Sequence, residues 1–457
     1  MSCKKKCTPY QLRRYDHFGG FLLHPHPRIL SRAIGLDCLM SHENRHAYVP
    51  AFDGLRGVAI LPVLLLHVGA SVLPNGPLLS ELTRGWYGVD LFFVLSGFLI
   101  TWILQSEIAA TGTINLKRFY SRRFLRLGPA YLSMLTAVLV GAVVFNQPQV
   151  KAIPRILPAL LTYTYNYQIA VGGTHFDVIV VLWSLCVEEQ FYLFWPTVLR
   201  WLGVKRALPF CLIAILTLTA YRIGLYSWLN WGHLTAPTAD SSVWIYFATD
   251  TRIGVILLGC AAALSLRHRR ARLVWRRMRE SRWLPETLVV LTSLCVAFVT
   301  GGTPSSASWR SATFGYTLEA CATAALISAV FIQPSSIAAR VLSWRPLTGL
   351  GRISYGVYLF HAPIAWLALH LITPDSLARM RSIQLVVLPS PAMNPTVMRF
   401  AIVSAIVLVA TSIVAGLHFR YVERRFLAMR PSSANASGGG TVSHPHPAQA
   451  CLSGSKP

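Results

Sequence analysis

The chain holds 457 residues, 54% apolar and only 13% charged, with a mean hydropathy of +0.49. That balance excludes a disordered chain, and nine cysteines over such a length exclude a disulfide scaffold. The net charge of +25 comes from Lys and Arg in short stretches between apolar runs, where it orients a membrane protein and calls for no nucleic acid.

In chain order, the first 46 residues form a basic leader dotted with His and Pro, without the compact apolar core of a signal peptide. Met40 opens "MSHENRHAYVPAFDGLRG" and is a candidate natural start, so 1–46 is expected to be disordered or a mis-assigned beginning. A membrane domain is expected over 47–428, and a flexible polar tail over 429–457. Cys3 and Cys7 have no second half-site to complete them, and the His-Pro repeats at His24 and His444 fit tail composition, so no metal is expected.

Runs of about 17–25 mostly apolar residues can cross a bilayer. They fall near 57–74, 86–105, 127–146, 182–202, 207–229, 247–266, 284–301, 315–333, 349–372 and 398–419. The stretch 153–171 is broken by Pro154 and Pro158 and rich in Tyr, Asn and Gln, which suits an interfacial or re-entrant segment. The fold expected is therefore all-α, a polytopic bundle of about ten transmembrane helices with both ends cytoplasmic. Orientation follows from the basic connections, above all the eight Arg of "RHRRARLVWRRMRESR" (267–282), which a further crossing at 153–171 would put outside.

Ionisable groups inside apolar spans are costly and mark function or a partner. In the first span Arg56 stands at the cytoplasmic end and His67 follows eleven residues later. Eleven residues rise roughly 16 Å, near mid-bilayer, and eleven steps of about 100° return to within about 20° of the same face. Arg123 and Arg126, three apart with Arg122 beside them, share a face as the third span begins; they fit either membrane anchoring or bidentate phosphate recognition. Glu188 and Glu189 are adjacent carboxylates in an aromatic helix, so one can line a cavity while the other pairs with an Arg. Asp250 and Arg252 begin the sixth span, where a local ion pair is the plainer reading. Ser354, Tyr355, Tyr358 and His361 form a polar stripe on the ninth.

Taken together, these segments resemble the acyltransferase type 3 family of integral membrane acyltransferases, from about Tyr48 to Phe426. Family members modify sugars of lipopolysaccharide O-antigen, exopolysaccharide, peptidoglycan, nodulation factors and some antibiotics. The hallmark basic residue, ten residues and a His match Arg56 and His67. Further elements match Phe119, Tyr120, Arg122, Arg123, Arg126, Pro129 and Tyr131; Gly88 to Ile100; Trp183, Ser184, Leu185, Glu188, Gln190, Phe191 and Tyr192; and Ile353 to Pro363. A stand-alone form is expected, without the esterase-like domain that some relatives carry.

The resemblance implies O-acyl transfer in a bacterial inner membrane, from an acyl-CoA donor, most often acetyl-CoA, to a glycan or lipid-linked sugar. Arg122, Arg123 and Arg126 would hold the donor phosphates. A sugar hydroxyl needs a base near neutral pKa, a role that falls to His67. Arg56 and Glu188 complete the expected catalytic set, Glu188 orienting the imidazole or binding the acceptor hydroxyl. Trp183, Ser184, Glu189, Tyr192, Asp250, Arg252, Tyr355, Tyr358 and His361 are pocket candidates, and Ser184 and Cys186 candidate acyl carriers. The rival readings are a transporter or flippase with His67 and Glu188 in a proton relay, and the same scaffold using succinyl-CoA or a small-molecule acceptor.

Overall fold

A computed structural model describes residues 48–74, 78, 82, 84–230, 239–300, 309–373 and 394–429, and among these the protein is all α. The expectations for the leader, for Met40 and for the tail beyond 429 lie outside the described residues. Helix α1 (Pro50–Val72) opens on a proline, whose fixed φ suits a first turn. Helix α2 (Tyr87–Thr111) ends at Gly112 with φ 78, and α3 (Leu116–Val144) starts at Asn115, whose side chain caps the Arg118 amide at 2.9 Å. The proline-broken stretch forms two short helices, α4 (Ile153–Leu161) and α5 (Tyr165–Ala170), neither long enough to cross.

The next helix, α6 (Leu182–Leu229), runs 48 residues. At about 1.5 Å per residue it is roughly twice the thickness of a hydrocarbon core. Gly203, with φ 67 and ψ 162, breaks it where the sequence separates two spans, since only glycine adopts that backbone at no steric cost. Helices α7 (Ala239–Phe247), α8 (Thr249–Arg267), α9 (Arg269–Glu280), α10 (Leu284–Thr300) and α11 (Tyr316–Ile332) follow. Then come α12 (Ile337–Leu342), α13 (Arg345–Arg352), α14 (Ser354–Leu371), α15 (Pro395–His418) and α16 (Arg424–Ala428).

Among the described residues, seven helices can cross a membrane by length and composition, or eight if the pair Ala271–Glu280 and Leu284–Val299, bent by 103°, counts as one. This is fewer than the ten expected, for physical reasons. Two expected spans are fused in α6, while α10 and α14 hold only 17 and 18 residues. Polar Ser354, Tyr355, His361 and His370 dilute α14 further.

The hub is α8. The most apolar stretch of Val243–Arg267 is 83% buried, whereas that of Leu182–Leu229 is 17% buried. Close backbone approach to α2 makes α8 central: a Cβ on Gly259 would lie 2.0 Å from the Val94 carbonyl oxygen, and one on Gly97 would lie 2.0 Å from that of Ile256. Small residues at a helix crossing are how membrane helices gain packing without a hydrophobic drive between them. Outward-facing Leu212, Ile213, Leu216, Leu294, Val409 and Ile413 are exposed, as expected of a surface in contact with lipid.

Candidate active site

His67 lies in the last turns of α1. Its Nδ1 is 2.7 Å from the Val63 carbonyl oxygen and 3.4 Å from Nε2 of His361 on α14. The two rings meet edge to face with centroids 4.9 Å apart. A carbonyl accepts only, so Nδ1 of His67 carries the proton and Nε2 keeps the lone pair. The same logic holds for His361, which is fully buried: its Nδ1 donates to the Tyr358 carbonyl at 2.7 Å, leaving its Nε2 lone pair towards His67. Tyr358 is held in turn, its hydroxyl donating to the Val181 carbonyl (2.9 Å) and accepting from Ser184 (2.6 Å). The Ser184 hydroxyl is thus engaged, and Cys186 is fully buried.

His67 borders a cavity of about 90 Å³ whose wall includes Trp86, Trp183, Tyr246, Phe247 and Tyr358. That is room for roughly three waters, enough for the reacting end of a substrate.

The carboxylates sit elsewhere. Glu188 lies beside the Ser96 and Tyr192 hydroxyls and within electrostatic reach of Arg123, then Arg56. The Ser96 and Tyr192 hydroxyls are 2.6 Å apart, and the Arg123 guanidinium lies 3.4 Å over the Tyr192 ring. Glu189 lies within electrostatic reach of Arg123 and Glu188 and of the phenols of Tyr131, Tyr163 and Tyr355. The structure therefore brings His361, and not Glu188, to the imidazole of His67. Arg56 donates to Asp53 at 2.9 Å. Arg122 and Arg126 are exposed on α3, and Arg123 is half-buried. Tyr355, one turn before Tyr358 on α14, has a different partner and donates to the Leu127 carbonyl of α3 at 3.1 Å.

The expected local pair of Asp250 and Arg252 does not form. Helical positions two apart point in nearly opposite directions. Asp250 accepts from Tyr221 at 2.7 Å, whereas Arg252 forms a fully buried salt bridge with Asp90 of α2. The Arg252 guanidinium lies 3.8 Å over Tyr316, 5.4 Å from Tyr246 and 5.7 Å from Trp183, so it backs the aromatic wall of the cavity. Two more buried ionisable residues stand near. Arg222 of α6 donates to the carbonyls of Thr313 (2.7 Å) and Thr251 (3.0 Å) and to the Thr317 hydroxyl (2.8 Å). Glu319 of α11 is fully buried, and its oxygens have no hydrogen-bond partner among the described residues. Sequence reasoning missed Asp90, Arg222 and Glu319, although a single ionisable residue in an otherwise apolar run was the available signal.

With this geometry in place, the comparisons are specific. A family model described as an acyltransferase domain, that of the acyltransferase 3 family, matches residues 49–415. The chain is 32% identical over 333 residues to O-acetyltransferase OatA of Staphylococcus aureus, covering 69% of this chain and 50% of that protein. It is 31% identical over 392 residues to peptidoglycan O-acetyltransferase OatA of Listeria monocytogenes, covering 82% and 55%. The chain spans about half the length of these curated relatives.

Proposed function

The chain belongs to the acyltransferase 3 family of membrane acyltransferases, and on that premise we propose that it transfers an acetyl group from cytoplasmic acetyl-CoA to a hydroxyl of a cell-envelope glycan. The observation that carries this reading is His67: its Nδ1–H is held by a carbonyl, its Nε2 keeps the lone pair, and the ring borders an aromatic cavity. Aromatic faces suit a sugar, whose C–H surfaces stack on them while its hydroxyls seek polar partners. The acceptor hydroxyl loses its proton to His67 Nε2 as its oxygen attacks the thioester carbonyl carbon. The tetrahedral intermediate collapses with cleavage of the C–S bond, and the imidazolium returns the proton to the departing thiolate. Products are the O-acetyl ester and free CoA thiol, with no net proton change.

In this reading His67 is the catalytic residue, and Arg56, Arg123 and Glu188 form the polar approach from the donor side. Arg122 and Arg126 extend the positive surface on α3 for the donor phosphates. Trp183 and Tyr358 shape the acceptor wall. The enzyme sits in a bacterial inner membrane with both ends cytoplasmic, so donor and acceptor enter from opposite faces. Peptidoglycan, named for the Listeria relative, is the first acceptor to examine; O-antigen and exopolysaccharide sugars come next.

The test is genetic. Base-labile acetyl esters on envelope glycans are measured in cells lacking the protein, rescued by wild type or by His67→Ala at matched membrane expression. Restoration by wild type alone supports the reading. Equal rescue by both removes His67 from the chemistry, and no ester with wild type overturns the glycan acceptor.

A further inference from the structure

We propose that Arg352, clamped beside Arg56 by Asp53 and Tyr48, is a docking residue for a phosphate of the acyl-CoA donor. The inference rests on the donor assigned above and adds a ligand-binding group from outside the α3 arginines.

Close packing between two helices creates the clamp. The segment ending in α13 lies against the first turns of α1 with almost no space between backbones. A Cβ on Gly54 would fall 1.7 Å from the Leu342 carbonyl oxygen, one on Gly57 2.3 Å from that of Leu347, and one on Gly351 1.7 Å from that of Asp53. No other residue fits at these positions without separating the helices. The sequence "DGLRG" of α1 is thereby explained: its glycines admit α13, and its charged residues meet what α13 delivers.

What α13 delivers is Arg352. Its Nε and Nη2 donate to the Tyr48 hydroxyl at 3.3 and 3.1 Å, and Nε lies 3.7 Å from Asp53 Oδ2. The Tyr48 hydroxyl donates in turn to Asp53 Oδ2 at 2.6 Å, while Arg56 Nη1 donates to Oδ1 at 2.9 Å. One carboxylate therefore orients two guanidiniums and leaves a net charge of +1. The Asp53 side chain is 11% exposed and Arg56 24%, whereas Arg352 is 62% exposed. The acid is buried within the clamp and the outermost cation is presented to solvent. Neutralising Asp53 would need one arginine, and an exposed ion pair adds little stability. A second, pre-oriented guanidinium suits an incoming anion, since a planar fork with unused N–H donors matches phosphate geometry.

The position agrees with that ligand. Three residues after Arg352, Tyr355 ties the start of α14 to the Leu127 carbonyl on α3, next to Arg126. Glu188 is within electrostatic reach of both Arg123 and Arg56, linking the clamp to the α3 arginines. An acyl-CoA carries a pyrophosphate and a 3′-phosphate, more negative charge than one arginine can meet.

The test uses the purified full-length protein in lipid nanodiscs, as wild type, Arg352→Gln and Arg352→Lys, with four donors: acetyl-CoA, 3′-dephospho-acetyl-CoA, acetyl-phosphopantetheine and acetyl-pantetheine. For acetyl-CoA, Arg352→Gln should raise KM about 10- to 100-fold with kcat within twofold, as loss of a charged hydrogen bond predicts; Arg352→Lys should fall between. With acetyl-pantetheine, which lacks every phosphate, wild type and both variants should have the same KM. A penalty that disappears with 3′-dephospho-acetyl-CoA assigns the 3′-phosphate, and one that persists there assigns the pyrophosphate. Equal loss with all four donors, or no loss with acetyl-CoA, overturns the proposal in favour of a purely structural clamp. Wild type that consumes none of the donors overturns the acyl-CoA reading itself, and the clamp's role falls with it.

Discussion

Arg252→Met tests the buried charge cluster that backs the cavity. The substitution removes a guanidinium bonded to Asp90 and stacked on Tyr316, and it leaves two buried carboxyl groups, Asp90 and Glu319, without their nearest cation. Arg222, the next cation within electrostatic reach of Asp90, is held in place by its bonds to Thr313, Thr251 and Thr317. Removing one member of a buried pair costs about 3–5 kcal/mol. Asp90→Asn should cost less, about 1–3 kcal/mol, since the Asn side-chain oxygen can still accept from Arg252, whose guanidinium also stacks on Tyr316. The double variant Asp90→Asn/Arg252→Met removes both members of the pair and should cost about 2 kcal/mol less than the sum of the two single variants, a coupling of about 2 kcal/mol. Reversible unfolding in mixed micelles, followed by tryptophan fluorescence, reads each value. Strict additivity of the two single variants, or an Arg252→Met protein as stable as wild type, would refute the cluster as an energetic unit.

Two further predictions concern single contacts. His361→Leu removes the lone pair that faces His67 Nδ1 at 3.4 Å but leaves the Val63 carbonyl in place. Steady-state assays should show kcat reduced about tenfold with KM for the donor little changed, the effect of one weak hydrogen bond; an unchanged kcat would separate the two histidines functionally. Gly351→Ala should greatly reduce the yield of folded protein, because its Cβ meets the Asp53 carbonyl oxygen at 1.7 Å. Gly349→Ala, with nothing within 4 Å of its Cβ, should be tolerated, and monodisperse yield by size-exclusion chromatography compares the two.

Much of this architecture can be read from hydropathy and breakers. The apolar runs set the helices, Pro154 and Pro158 mark the broken stretch, and the polar residues between 202 and 207 fall where Gly203 interrupts α6. Of the site, His67 and the stripe of Tyr358 and His361 are visible as polar residues at helical spacing. Their meeting is not, because it depends on how α1 and α14 cross. The same limit explains Arg252. A single sequence offers Asp250 as a neighbour two residues away, whereas the actual partner is Asp90, brought in by the close approach of α2 and α8 through Gly97 and Gly259. Arg352, near the start of the expected ninth span, gains a partner only when the packing of α13 on α1 sets it beside Asp53.

The central claim is that His67 activates an acceptor hydroxyl. Its most direct measurement is the single-turnover rate at which purified protein in nanodiscs moves radiolabelled acetyl from acetyl-CoA to glycan strands, for wild type and His67→Ala. A loss of about 10²- to 10⁴-fold, with donor affinity preserved, is the expected result for removal of a general base. A His67→Ala protein that transfers acetyl at the wild-type rate would contradict the account.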